Sequence, residues 1–149
     1  MKKLFYILFT FCIALTACDF ETSNNGDIDG YWQLSQLDTL TGGSTDMRHA
    51  NLFWSVQVKL LEIRNIEAPL RSILFRFHQD GDSLRIWNPV FNDRNISDSL
   101  ALPKDLDFYN LDYRVNAENM LESSLKIYQL DSERMVLTNS RFRFHFRKY

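Results

Sequence analysis

The residues with the clearest capacity for chemistry are three histidines, and their spacing is unlike that of a metal site. His49, His78 and His145 lie far apart in the chain. A structural or catalytic zinc needs three or four ligands, so we expect solvated or hydrogen-bonded histidines. The sequence also has no Gly-x-Ser-x-Gly elbow, no glycine-rich phosphate loop and no His-Glu-x-x-His motif. We therefore predict no catalytic residues, no cofactor and no metal.

A group of carboxylates offers a second kind of chemistry. Asp105, Asp107 and Asp112 fall within one polar stretch and could bind Ca²⁺ through their oxygens. Their spacing departs from that of an EF-hand loop. We favour a solvated acidic loop.

Basic residues near the C-terminus form the third candidate. Arg141, Arg143, His145 and Arg147 alternate with Phe142, Phe144 and Phe146. This period of two indicates a strand with one apolar face. The basic face either lies outside the fold or lines a lumen that attracts an anionic ligand. We favour the outside, because unpaired charges are seldom buried.

The N-terminus carries a secretory signal. Lys2 and Lys3 precede an apolar run over 4–14 that is too short to cross a bilayer. The run ends in Leu-Thr-Ala followed by Cys18, which resembles the bacterial lipobox. The resemblance implies cleavage after residue 17, a palmitate-containing lipid on Cys18, and membrane attachment at the cell envelope. The predicted divisions are a signal peptide (1–17), a lipidated cysteine with a flexible tether (18–29) and one domain (30–149).

Composition limits the partners of the mature chain. Loss of Lys2 and Lys3 lowers the basic count from 17 to 15 against 19 acids, a net charge of about −4. Nucleic-acid binding needs a basic surface, so no nucleic acid is expected. Cys12 leaves with the signal and Cys18 is the other cysteine, so we expect no disulfide and no cysteine nucleophile. Stability must come from an apolar core.

Alternation of apolar and polar residues predicts strands over most of 30–149. Predicted strands begin near Trp32, Leu125 and Met135. Two more, 73–78 and 84–87, flank the turn 80–82, and another covers 142–147. We expect Pro89 to end the return strand. The segment 53–64 fits a strand with a bulge near Leu60, or a helical stripe.

The remaining stretches complete the predicted fold. We expect a loop over 92–110 with one helical turn after Pro103, and a strand over about 108–115. The total is about eight antiparallel strands in succession. The predicted fold class is all-β, an up-and-down barrel or a curled meander.

Several of these segments resemble one family. Gly30-Tyr31-Trp32 at the first strand is similar to the Gly-x-Trp signature of lipocalins. Together with the lipobox, Phe53-Trp54, Arg76-Phe77 before a hairpin and the closing Phe-x-Phe-x-Phe strand, it resembles lipocalin-like lipoproteins of Gram-negative commensal bacteria, many of unknown function. The resemblance implies that Trp32 closes the barrel floor under a basic residue of the last strand, which we assign to Arg141 or Arg143.

The first functional hypothesis is non-catalytic binding of a small apolar or amphipathic ligand. Its proposed site residues are Trp32, Trp54, Phe75, Phe77, Trp87 and Arg143. The same aromatic residues could instead simply fill the core. The alternative function is then a structural or accessory protein of a cell-envelope complex, which uses the barrel exterior and the loop 92–110 as its interface.

Overall fold

The chain folds into one antiparallel sheet that closes on itself. A computed structural model describes residues 23–67, 72–92 and 99–149. In these ranges there are ten strands, a 3₁₀ turn at Gly26–Ile28 and one short helix, α1, at Pro103–Phe108. The strands are β1 (Gly30–Thr39), β2 (Ser44–Asp46), β3 (Leu52–Gln57), β4 (Leu60–Asn65), β5 (Ile73–Asp80), β6 (Ser83–Phe91), β7 (Arg114–Val115), β8 (Leu121–Leu130), β9 (Arg134–Thr138) and β10 (Phe142–Lys148).

Pairing of β10 with β1 closes an eight-stranded barrel. The order around the barrel is β1, β3, β4, β5, β6, β8, β9 and β10, and each strand is antiparallel to its neighbours. The short strands β2 and β7 lie outside this order and pair with β1 and β8, respectively. The predicted all-β, up-and-down barrel is therefore confirmed, with closure rather than an open meander.

The barrel has two ends, which we call the base and the mouth. The base holds the 3₁₀ turn, the turns β3–β4, β5–β6 and β8–β9, and the C-terminus. The mouth holds the turns β1–β2 and β9–β10, the β7–β8 turn and the segment 99–113 with α1.

The base is closed by the start of the domain. Ile28 has no exposed surface, and its carbonyl accepts a hydrogen bond of 2.8 Å from Nε1 of Trp32. The ammonium of Lys148 lies 4.7 Å from the Trp32 ring centroid and 3.3 Å from the carbonyl oxygen of Asp27. Gly30 has φ 131°, a backbone conformation that L side chains rarely adopt, which explains the glycine at this position.

Two expectations about this region are wrong. The basic residue on Trp32 is Lys148 rather than Arg141 or Arg143, because the register places Lys148 opposite Trp32. The predicted flexible tether (18–29) includes residues that belong to the barrel base, because Ser23 and Asn25 hydrogen-bond to Val58 and Ile28 is buried. Ile28, an apolar residue within the polar stretch 19–29, is the sequence feature that indicates this contact with the barrel.

Hydrogen bonds tie the first residues to the β3–β4 turn. The hydroxyl of Ser23 accepts from the Val58 amide at 2.9 Å, and Nδ2 of Asn25 donates to the Val58 carbonyl at 2.9 Å. Both side chains also donate to Asp29. Burial by itself would raise the pKa of Asp29, but these hydrogen bonds hold it below its usual value.

The mouth is filled by the segment that precedes β7. Ala101, Leu106, Tyr109 and Leu111 are buried in the same core as the barrel side chains. The side chain of Asn139 donates to the Asn110 carbonyl at 2.8 Å and holds the segment against the β9–β10 turn. The predicted helical turn after Pro103 is confirmed, and its first carboxylate, Asp105, accepts from the Leu102 amide at 2.7 Å.

Three predicted strand boundaries are wrong. The segment 53–64 is two strands, because Val58 turns the chain with φ 55°. Pro89 lies within β6, beyond the last β8 partner of that strand, so its missing N–H breaks no pairing there. The predicted strand 108–115 shrinks to β7, because the preceding residues enter the mouth instead.

Candidate ligand-binding groove

The aromatic residues proposed to line a cavity separate into two groups. Trp32, Trp54 and Phe75 point inward and are at most 1% exposed. The ring of Trp54 lies 5.0 Å from that of Phe146 and 6.3 Å from that of Phe144, centroid to centroid. These side chains fill the barrel and touch one another, so they are core residues in this structure.

Phe77 also points inward but sits close to the base. It is partly buried and lines a groove of about 570 Å³ together with Val58, Lys59 and Gln79. This groove opens beside the first residues of the domain, away from Trp87 and Arg143.

Arg143 lies on the outer face of β10. Its guanidinium carbon is 4.9 Å from the Tyr128 ring centroid, and its cross-strand partner is Asp38. Phe144 and Phe146 on the same strand are buried. The outward arrangement of the basic residues is therefore confirmed for Arg143, and it does not line a lumen with the tryptophans.

Among the predicted aromatic site residues, Trp87 faces outward into a groove. This surface, which we call the Trp87 groove, has a volume of about 480 Å³. Its lining contains two arginines, two acids and four uncharged residues: Arg85, Arg114, Glu118, Glu122, Trp87, Val115, Asn116 and Ala117. Register explains their meeting, because Glu122 of β8 is the cross-strand partner of both Trp87 in β6 and Arg114 in β7.

Glu122 organises the floor of the Trp87 groove. Its carboxylate accepts hydrogen bonds from Nη2 of Arg114 at 2.6 Å and from Nε of Arg114 at 3.2 Å, although its side chain is only 5% exposed. Burial alone would raise the pKa of Glu122, but the hydrogen bonds from Arg114 and Asn116 outweigh it and lower that pKa. The carboxylate is therefore ionised at neutral pH and fixes the Arg114 head group.

The β7–β8 turn forms one wall of the groove. Oδ1 of Asn116 accepts from the Glu118 amide at 3.0 Å and from the Met120 amide at 2.9 Å. An Asn side chain that binds the backbone in this way stabilises a turn. The wall is therefore held by local hydrogen bonds as well as by the Arg114–Glu122 pair.

The arrangement suits a ligand with a flat or apolar part and a negative charge. The guanidinium carbon of Arg85 lies 5.0 Å from the Trp87 ring centroid, and the Arg114 side chain is 70% exposed despite its ion pair. Arginine can bind carboxylate or phosphate through two parallel hydrogen bonds, while indole and Val115 offer apolar contact. Sequence reasoning missed Arg85, Arg114 and Glu122, because only strand register brings them to Trp87.

The other chemical candidates have local structural partners. Nε2 of His145 lies 2.8 Å from Oδ2 of Asp38 on the barrel exterior. Hydrogen bonds from Gln36 and Ser44 lower the pKa of Asp38. Asp112 accepts from the Ser140 amide at 2.8 Å and from Nε of Arg141 at 3.0 Å. Among the described residues, no group of three or more metal-ligating side chains is assembled.

These features define a class of protein. An eight-stranded antiparallel barrel begins with Gly-x-Trp, and a basic residue of the last strand covers that tryptophan. The sequence model of the lipocalin-like domain family matches residues 13–149, and the chain belongs to that family. A comparison with curated proteins gives no match.

Two solved structures share the fold. A lipocalin-like protein from Bacteroides uniformis aligns with a TM-score of 0.58 at 20% identity, over 83% of this chain and 100% of its own. An uncharacterized protein from Bacteroides eggerthii aligns with a TM-score of 0.52 at 18% identity, again over 83% and 100%. At these identities the likeness concerns the fold. In the described ranges, no helix is long and apolar enough to span a membrane.

Proposed function

We propose that this chain is a lipid-anchored, non-catalytic binding module of the bacterial cell envelope. Its ligand is a small amphipathic anion, and its site is the Trp87 groove. The observation that carries the ligand class is the meeting of an outward indole with two guanidinium groups, Arg85 and Arg114, over an ionised and nearly buried Glu122.

Packing of the barrel favours an exterior site over the lumen. Trp32, Trp54 and Phe75 occupy the interior, while the 3₁₀ turn fills the base and α1 contributes to the filled mouth. A ligand in the lumen would have to displace buried side chains, each of which contributes about 1.5–3 kcal/mol through burial. The Trp87 groove needs no such displacement.

The anchor rests on the lipobox-like Leu-Thr-Ala followed by Cys18. We expect a lipid on Cys18 and cleavage before it. Cys18→Ala should abolish incorporation of labelled palmitate and leave an unprocessed or soluble product. Incorporation that persists in the variant would overturn the anchor.

Titration calorimetry of residues 23–149 with dodecanoate, an amphipathic carboxylate, tests the groove. A double variant, Arg85→Gln with Arg114→Gln, should lose most of the affinity, because charge-assisted hydrogen bonds contribute about 1.5–3 kcal/mol each. Arg64→Gln is the matched control, since Arg64 is an exposed arginine on β4. Equal affinity in all three proteins would rule out this site.

A second candidate function is that of an accessory protein in an envelope complex. Its support is an exposed apolar surface on the segment that fills the mouth, where Leu100, Leu102 and Phe108 are 64%, 53% and 53% exposed. Exposed apolar patches of this kind mark interaction sites in soluble domains. A photo-crosslinker in place of Leu102 should then capture one specific envelope protein in cells, and one in place of Lys59 at the base should not.

A further inference from the structure

Residues that contact the barrel base lie close in sequence to the proposed lipid attachment site. Ser23 and Asn25 hold the β3–β4 turn through Val58, and Ile28 is fully buried beneath Trp32. Val58 itself has φ 55°, a conformation that is costly for a β-branched residue. The hydrogen bonds to its amide and carbonyl help to hold it there, so these first residues are an integral part of the base.

Chain length then limits the distance between base and lipid. Five residue steps separate Cys18 from Ser23, and a fully extended chain spans at most about 3.6 Å per residue. The base therefore lies within about 18 Å of the cysteine, against roughly 36–40 Å for a tether that ended at Asp29. Barrel strands of this length, with their usual tilt, give a height of about 25 Å.

We propose that the base of the barrel faces the membrane surface and the mouth points away from it, because the link between Cys18 and Ser23 is shorter than the barrel is tall. The inference rests on the proposed lipid anchor. It places the Trp87 groove and the exposed side chains of Leu102 and Phe108 where soluble ligands and partners can reach them.

Charge does not supply this orientation. Exposed acids and exposed bases are equal in number at the base: Asp27, Asp80, Asp82 and Glu133 against Lys59, Lys126, Arg134 and Arg147. Such a surface is not attracted to anionic headgroups, which favour clusters of Lys and Arg. Link length is therefore the property that sets the orientation, and lengthening the link should abolish it.

Paramagnetic broadening in nanodiscs measures the orientation. Residues 18–149, labelled with ¹⁵N, are coupled through the Cys18 thiol to maleimide lipid in phosphatidylethanolamine and phosphatidylglycerol discs that contain nitroxide headgroup lipid. The amide signals of Lys59, Gly81 and Ser132 should lose most of their intensity. Those of Gly42, Leu102 and Ser140 at the mouth should keep most of theirs. Equal losses at both ends would overturn the proposal.

A matched variant tests the role of the link. Insertion of about 20 Gly and Ser residues between Glu21 and Thr22 gives a flexible span of roughly 25 Å, and the difference between base and mouth should then disappear. A difference that persists would mean that a surface of the barrel, rather than the link, sets the orientation. The mass of the N-terminal peptide, measured on protein from the native host, shows whether Cys18 carries lipid. It therefore distinguishes failure of the proposed anchor from failure of the proposed orientation. Absence of lipid there overturns the anchor and the orientation together, whereas lipid with uniform broadening overturns the orientation alone.

Discussion

Neighbouring residues on β10 give a matched test of the barrel core. Phe144 is 1% exposed and its ring lies 6.3 Å from that of Trp54 and 6.5 Å from that of Phe146. Phe144→Ala should lower the free energy of unfolding by about 3–5 kcal/mol, the usual cost of emptying a large core site. This is a large share of the roughly 5–15 kcal/mol of a typical domain.

The adjacent position is the control. Arg143 lies outside, with its guanidinium over Tyr128, which is 68% exposed. Arg143→Gln should therefore cost no more than about 0.5–1 kcal/mol, the usual size of an exposed cation–π contact. Urea unfolding of residues 23–149, followed by tryptophan fluorescence, measures both variants. A harmless Phe144→Ala together with a severe Arg143→Gln would refute the assignment of the two faces.

Three further tests address the two ends of the barrel and the groove. Ile28→Ala should cost about 2–5 kcal/mol in urea unfolding, whereas Asp27→Ala next to it, on an exposed residue, should cost under about 0.5 kcal/mol; equal effects would contradict docking of the 3₁₀ turn at the base. Leu106→Ala, which empties a fully buried site in α1, should cost about 2–5 kcal/mol and the half-exposed Phe108→Ala much less, and the reverse order would mean that α1 does not fill the mouth. Because the pKa of Glu122 is lowered in the folded protein, its contribution to stability is present above its unfolded pKa of about 4.3 and is lost as pH falls through the lower folded value. Glu122→Gln should accordingly lose less stability than the unmodified protein between about pH 5 and pH 3, and parallel urea midpoints would contradict the ionised pair with Arg114.

The barrel could be predicted from sequence because its patterns are local. Phe142, Phe144 and Phe146 alternate with basic residues, and the Asp80–Asp82 turn separates two alternating runs, so period and turn chemistry give the strands directly. The features that were missed depend on contacts between distant residues. No sequence pattern predicts a positive φ at a β-branched residue such as Val58. The hydrogen bonds of Ser23 and Asn25 with Val58 explain how the structure holds this conformation.

The candidate site was less predictable than the fold. The sequence predicts Trp87 as an aromatic residue in a strand that lines a cavity. The β6–β8 register shows instead that its side chain faces outward. The neighbours Glu122 and Arg114 come from strands more than 25 positions further along the chain. Likewise Lys148, rather than Arg141 or Arg143, covers Trp32 because the register of β1 and β10 places Lys148 opposite Trp32 and Arg143 opposite Asp38. Such pairings are fixed by tertiary packing, which one sequence does not reveal.

The central claim is that an amphipathic anion binds outside the barrel at Trp87. The three tryptophans report on it directly, since each indole N–H gives one signal in a ¹⁵N-labelled protein. During titration of residues 23–149 with dodecanoate, the Trp87 signal should shift in a saturable manner, while those of Trp32 and Trp54 stay fixed within the core. Saturable shifts at Trp32 or Trp54 with none at Trp87 would place the ligand in the lumen and contradict the account, and three unchanged signals would contradict binding itself.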